Sequence, residues 1–249
     1  MLKAYLSYIK LRGEQRLMGK IETTYGKTLK GLMITINPIK KKVMKTHCIV
    51  HKFINIQAIA ILKNKEYSEA NSFYKRHIKE LNRGVTWADQ DFKSSNHFYH
   101  HIKGTGLYGF SNALTEFKKY YKCALRFMEA GDTRQSLFYF GAACHLIQDA
   151  TVPQHVNNKL LKNHRNFELW IISRLMSDYS FPIFNEVIKE DKVEDYIKNN
   201  ALFSNKTYMA NVNILDKEDR YKKISTLIVQ RAQKTTAGLM LNFYDEINK

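Results

Sequence analysis

Proline and glycine are scarce, at three and eleven in 249 residues. Frequent tight turns are thereby excluded, and long helices are favoured. The cysteines, Cys48, Cys123 and Cys144, are an odd number with no paired spacing. They make neither a disulfide framework nor a thiolate zinc site. Cys48 stands beside His47 and Cys144 beside His145. Helix neighbours point about 100° apart, so both thiols read as small core residues and not as ligands. No apolar run reaches the length of a transmembrane span or of the h-region of a secretory signal. Acidic residues are few, 23 against 40 basic ones, for a formal net charge of +17. That excess attracts polyanions: nucleic acid, an anionic membrane surface or phosphate-bearing substrates. Neither strand-like alternation nor a 20–50-residue repeat is present.

What is there is helical. With 44% hydrophobic residues the chain has enough apolar material for a sizeable core. Residues 1–45 are lysine-rich, with short apolar clusters such as Leu32-Met33-Ile34, and read as a basic leader. Residues 46–249 read as the folded domain. Thr46 to Leu62 predicts a buried helix capped by Thr46, with Ile49, Phe53, Ile56 and Ala60 as its stripe, widened by Ile54, Ala58 and Leu62. His47 stands in its first turn, and His51 follows one turn on. Tyr67 to Asn82 predicts a second helix stopped at Gly84. Gly84 to Gly106 reads as a long irregular connection, the kind that carries function. It holds Asp89, Asp91, His97, His100 and His101 among aromatic residues. Phe110 to Ala130 predicts a helix closed by Gly131, and Asp132 or Thr133 caps the next, which runs into His145 and Asp149. A helix from Leu169 ends before Pro182. Shorter helices and polar links such as Asn199-Asn200 follow, and a long helix spans Lys217 to Ile247. The expected class is all-α, one multi-helical domain with metal-binding groups gathered between helices.

The densest chemistry lies between Gly141 and Glu168, GAACHLIQDATVPQHVNNKLLKNHRNFE. His145 and Asp149 are four apart and share one helix face, as do His164 and Glu168. Pro153 turns the chain between the pairs, and His155 sits on the turn. One such pair is an ordinary surface contact. Five groups in under thirty residues argue for a metal site instead. Imidazole nitrogens mixed with carboxylate oxygens point to zinc or a similar divalent ion. Burying His145 and Asp149 in an apolar helix without partners costs several kcal/mol, and ligation offsets that cost.

The stretch YFGAACHLIQDATVPQHVNN resembles the zinc-dependent phospholipase C family of Gram-positive bacteria. His164 and Glu168 match its later His-x-x-x-Glu. Asn96 to Tyr99 is similar to its His-Phe-Tyr motif, and GVTWAD, ending at Asp89, to the segment with its catalytic aspartate. THCIVHKFINIQAIAIL and QRAQKTTAGLMLNFYD look like its first and last helices. The resemblance implies two to three zinc ions. Asp89, His97, His145 and Asp149 would hold one ion, and His155, His164 and Glu168 a second. Asp149 would bridge to a third, shared with His47. Asp89 would also orient or deprotonate the attacking water. The implied reaction hydrolyses a glycerophospholipid, phosphatidylcholine-type by family, to diacylglycerol and a phosphorylated headgroup. The implied setting is extracellular, as a monomer acting on phospholipid at a membrane surface, without a transmembrane span or a nucleic-acid partner.

Three departures from the family stand out. Its members complete the third zinc with an amino-terminal Trp, whereas Trp87 and Trp170 both follow His47 here. No signal peptide is legible. His100 and His101 replace the Asp-Pro after His-Phe-Tyr, Gln90 replaces an aromatic beside Asp89, and the loop to His97 is shorter. Two alternatives remain open at this point: a single-strand nuclease of the related S1/P1 type, and a non-catalytic zinc-binding member.

Overall fold

The apolar run ahead of His145 becomes the central helix of the molecule. A computed structural model describes residues 47–90, 96–106, 111–157, 164–177, 181, 183 and 185–249, with His47, His164 and Arg165 described by backbone alone. Residues 1–45, read as a leader, lie outside the described residues. The helices are α1 (His47–Asn64), α2 (Ser68–Arg76), α3 (Ile78–Ala88), α4 (Ala113–Glu129), α5 (Thr133–Asp149), α6 (Pro153–Val156), α7 (His164–Met176), α8 (Asp195–Asn211) and α9 (Lys217–Ile247). Among the described residues there is no strand. The protein is an all-α, single multi-helical domain. None of the described helices is long and apolar enough to cross a membrane.

Asp132 caps α5, its side chain accepting from Gln135 N–H. Gly131, at φ +79°, makes the turn from α4 that a Cβ would oppose. From Phe140 to Asp149 every α5 residue is buried. Packing on α4, α3 and α9 hides the helix all round from Phe140 onward, beyond a polar first turn in which Arg134 and Gln135 are exposed. The principal core joins Leu137, Phe140 and Leu146 of α5 to Tyr74, Phe117 and Phe243. A second core, under α1, α7 and α9, contains Ile54, Phe167, Ile171 and Ile228.

Gly84 does not stop a helix. The expected second helix instead breaks at His77 and resumes as α3 through to Ala88, so the irregular connection starts only at Asp89. Gly84 and Gly141 are the close approach between α3 and α5. A Cβ on Gly84 would lie 1.8 Å from the Phe138 carbonyl oxygen, and one on Gly141 would lie 2.0 Å from that of Leu81. Local stop chemistry is overridden by a contact between helices remote in sequence. The consequence is functional, because this crossing brings the end of α3, with Asp89, against the last turns of α5.

Two further expectations shift. The buried residues of α1 are Cys48, His51, Ile54, Asn55, Gln57, Ala58, Ile59, Ile61 and Leu62. Ile49, Phe53, Ile56 and Ala60 form its half-buried flank. The segment expected to hold short helices and polar links contains one 17-residue helix, α8. Asn200 is fully buried in it, donating to the Ile147 carbonyl and to Thr235 Oγ1.

Candidate metal centre

Asp149 is the hub of the site. It is the last residue of α5, one turn after His145, and both side chains are buried. The backbone then turns through Thr151, whose hydroxyl donates to the Gln148 carbonyl at 2.7 Å. Pro153 starts α6 where its missing N–H costs nothing, and α6 carries His155. His97 arrives from the segment before α4. Tyr99 N–H donates to the His155 carbonyl and His101 N–H to the Val156 carbonyl, which ties that segment to α6. His51 projects from the buried stripe of α1, and Glu168 comes from α7.

The carboxylate of Asp149 divides its oxygens between imidazoles. Oδ2 lies 2.8 Å from His97 Nδ1 and 3.0 Å from His145 Nε2, and these two nitrogens are 3.2 Å apart. Oδ1 lies 3.3 Å from His51 Nε2 and 3.8 Å from His155 Nε2. His155 Nε2 is in turn 4.0 Å from Glu168 Oε1. Ligand atoms of Asp89, His97 and His145 fall within 4.8 Å of one another, as do those of His51, His145 and Asp149. Asp89, just past α3, accepts from Cys48 Sγ at 3.7 Å through its Oδ2.

These residues fit a zinc ion. A tetrahedral zinc with bonds of about 2.0–2.1 Å separates its ligand atoms by about 3.3 Å. The triangle of His97, His145 and Asp149 has edges of 2.8–3.2 Å. Asp149 Oδ2, though close to two imidazoles, has no well-aligned hydrogen bond among the described residues. His97 Nε2–H donates to the Ala88 carbonyl at 3.0 Å. That bond leaves the Nδ1 lone pair of the neutral ring facing Asp149, the arrangement of a ligating histidine with its outer partner. The 2.8 Å contact is met by a proton on Nδ1 or by a cation, and the matching edges of the His97, His145 and Asp149 triangle favour the cation.

Protonation agrees with that reading. Burial pushes His145 down to about 4, so it is neutral near pH 7. Burial opposes ionisation of Asp149, but the imidazoles of His145, His155 and His51 outweigh it and hold the carboxyl well below its ordinary range. Burial likewise pulls His51 down, but the hydrogen bond and charge of Asp149 outweigh it and leave it raised. Burial, then the charge of Asp89, push the Cys48 thiol up to about 12, which keeps it a donor and not a thiolate ligand.

Six of the eight expected ligands meet here: Asp89, His97, His145, Asp149, His155 and Glu168. His164 stands one turn before Glu168 on α7 and His47 begins α1, but the side chains of both lie outside the described residues. Asp91 also lies outside them. His100 and His101 do not join the group. They stack on each other, and His100 Nδ1 accepts from the N–H groups of Ile102 and Lys103. His51 was not among the expected ligands. Its signal was in the sequence, four residues before Asn55 and on the same helix face as Ile54 and Ala58, but a lone histidine on an apolar helix reads first as a core residue.

A sequence profile described as zinc dependent phospholipase C matches residues 50–225. The chain belongs to that family. The matched span includes His51 and every expected ligand except His47. Membership supports a hydrolase role and zinc as the metal. The fold is similar to that of the alpha toxin from Clostridium absonum, with a TM-score of 0.70 and 19% identity over 80% of this chain and 64% of that one. It is also similar to the alpha-toxin of an avian strain of Clostridium perfringens, with a TM-score of 0.68, 19% identity, and 80% and 63% coverage. The chain thus spans less than two thirds of those toxins. No curated protein matches the sequence.

Proposed function

We propose that the centre around Asp149 binds zinc and that the protein is a phospholipase C acting on glycerophospholipids. The observation that carries this is one buried carboxylate shared among four imidazoles, at 2.8, 3.0, 3.3 and 3.8 Å, in a chain of this family. His97, His145 and Asp149, with Asp89 beside them, form one ligand set. His155, Glu168 and His164 form a second. His51 shares Asp149 with a third position, for which His47, whose side chain lies outside the described residues, is the ligand expected from the sequence. Two to three ions follow from that count.

Zinc, when bound, supplies Lewis acidity that neutralises phosphoryl oxygens and makes water nucleophilic near neutral pH. The chain's own residues do the rest. Asp149 fixes the spacing of the ligand sets. The Ala88 carbonyl and the α3–α5 crossing hold His97 and Asp89 in place. Asp89 takes a proton from the attacking water as its oxygen bonds to phosphorus. The bond from phosphorus to the glycerol oxygen breaks, and that oxygen takes up a proton from solvent water as it leaves as diacylglycerol. A phosphorylated headgroup remains, of phosphatidylcholine type by family. The positive charge favours approach to an anionic membrane surface. Extracellular action as a monomer is the setting that family resemblance supports, with residues 46–249 as the working domain and 1–45 as a leader.

The test is hydrolysis of phospholipid vesicles with added zinc, run beside single-stranded DNA. Release of diacylglycerol that stops on chelation supports the reading. Turnover of DNA without lipid turnover overturns it in favour of a nuclease, and inertness towards both leaves a non-catalytic zinc protein.

A further inference from the structure

A chain of buried amides runs from the metal centre into the core. His51 Nδ1 lies 2.8 Å from Gln148 Oε1. The Gln148 amide nitrogen donates to Asn55 Oδ1 at 2.8 Å and to Thr236 Oγ1 at 3.2 Å. Asn55 Nδ2 donates on to Asn82 Oδ1 at 3.0 Å. Four helices contribute: α1, α3, α5 and α9. Gln148 is 1% exposed, and Asn55 and Thr236 are fully buried. Four polar side chains in a helical core are costly unless each is matched, and here each contact pairs a donor with an acceptor.

Those pairings fix a proton. An amide presents an acceptor at one end and two donors at the other. Both donors of Gln148 are used on Asn55 and Thr236, so its oxygen is what meets His51. An oxygen can only accept, so His51 Nδ1 carries the hydrogen. The Nε2 of the neutral ring is then a bare lone pair, and it faces Asp149 Oδ1 at 3.3 Å.

We propose that Gln148 is a positioning residue: with Asn55, Asn82 and Thr236 it locks His51 in the Nδ1–H tautomer, so that Nε2 is preset as a metal ligand beside Asp149. The inference rests on the reading that this centre holds a divalent ion. It adds that the α1 corner is tuned from the core side by a neutral amide, a role that carboxylates or backbone carbonyls commonly fill. Gln148 touches neither substrate nor ion; it acts only through His51.

The test reads the tautomer directly and does not depend on activity. Nitrogen-15 NMR of His51 in metal-free full-length protein should show Nδ1 protonated throughout the range in which the fold persists. A neutral His51 protonated on Nε2 alone would mean that the amides run the other way, and the proposal would be wrong. Zinc affinity by chelator competition is the second readout. Gln148→Leu should weaken the zinc held at the His51 corner about tenfold or more, and Gln148→Glu, which keeps an acceptor on Nδ1, should restore it. Equal affinity in wild type, Leu and Glu variants overturns the proposal. If Gln148→Leu does not fold, the wild-type tautomer and the Glu variant still decide. Wild-type protein that binds no zinc yet shows the Nδ1–H tautomer would sink the metal reading and leave the amide lock standing.

Discussion

At the scale of single residues, Asp149 is the least replaceable group. Each of its oxygens serves two imidazoles, so Asp149→Asn removes the anion shared by the first ligand set and the third position. Zinc content of that variant should fall to the one ion that His155, His164 and Glu168 can hold, and retention of wild-type zinc would contradict the hub role. Asp89 is different in kind, lying beside the hub at the end of α3. Asp89→Asn should lower turnover by about 10²–10⁴-fold, as loss of a general base does, while most of the zinc stays bound. Unchanged turnover would remove Asp89 from the mechanism. His51 shows what single residues hide: its chemistry is visible only once Gln148 and Asp149, nearly a hundred positions away in sequence, are beside it.

Residue-level protonation also fixes how the metal-free protein responds to pH. His145 is depressed from 6.5 to about 4 in the fold. Its contribution is present above 6.5 and is lost as pH falls through the folded value, by about 3 kcal/mol in all. Asp149, also depressed, adds a loss in the same direction at lower pH. His51 is raised above 6.5, so its contribution is full below that value and is lost as pH rises through its folded value. In chelator, these groups together place the stability maximum near pH 6.5. Urea unfolding midpoints that climb steadily on both sides of that point would contradict the assignment.

At the scale of elements, the α3–α5 crossing decides the geometry. A Cβ at position 141 meets the Leu81 carbonyl oxygen at 2.0 Å, and backbone cannot step aside as a flexible side chain can. Gly141→Ala should cost about 3 kcal/mol or more, read as a lowered urea midpoint, and should weaken zinc binding by shifting Asp89 and His97 from Asp149. A variant as stable as wild type would show that the crossing is not tight. Here lies much of what the sequence concealed. The long helix at the carboxyl end was legible to the residue, Lys217 to Ile247, because Asp216 caps it and the apolar pattern is unbroken. The pairing of His145 with Asp149 was legible from spacing alone. Gly84 and Asn200 misled because glycine and asparagine are local signals for stops and links, whereas their surroundings come from remote helices: α5 for one, α5 and α9 for the other. The inner stripe of α1 was displaced for the same reason, since its polar members His51 and Asn55 are buried by partners on other helices.

At the scale of the whole molecule, a helical scaffold gathers the candidate ligands from five helices and the loop before α4. The net charge of +17 predicts that vesicle binding strengthens with anionic lipid and weakens as salt rises through the range where the Debye length falls below about 10 Å. Salt-independent binding would assign no role to that charge. The central claim is narrower: Asp149 and its imidazoles hold zinc. Elemental analysis of purified full-length protein tests it most directly. The account predicts two to three zinc ions per chain, removed by chelation and restored by added Zn²⁺. Protein that contains no zinc, and takes up none when it is supplied, would contradict it.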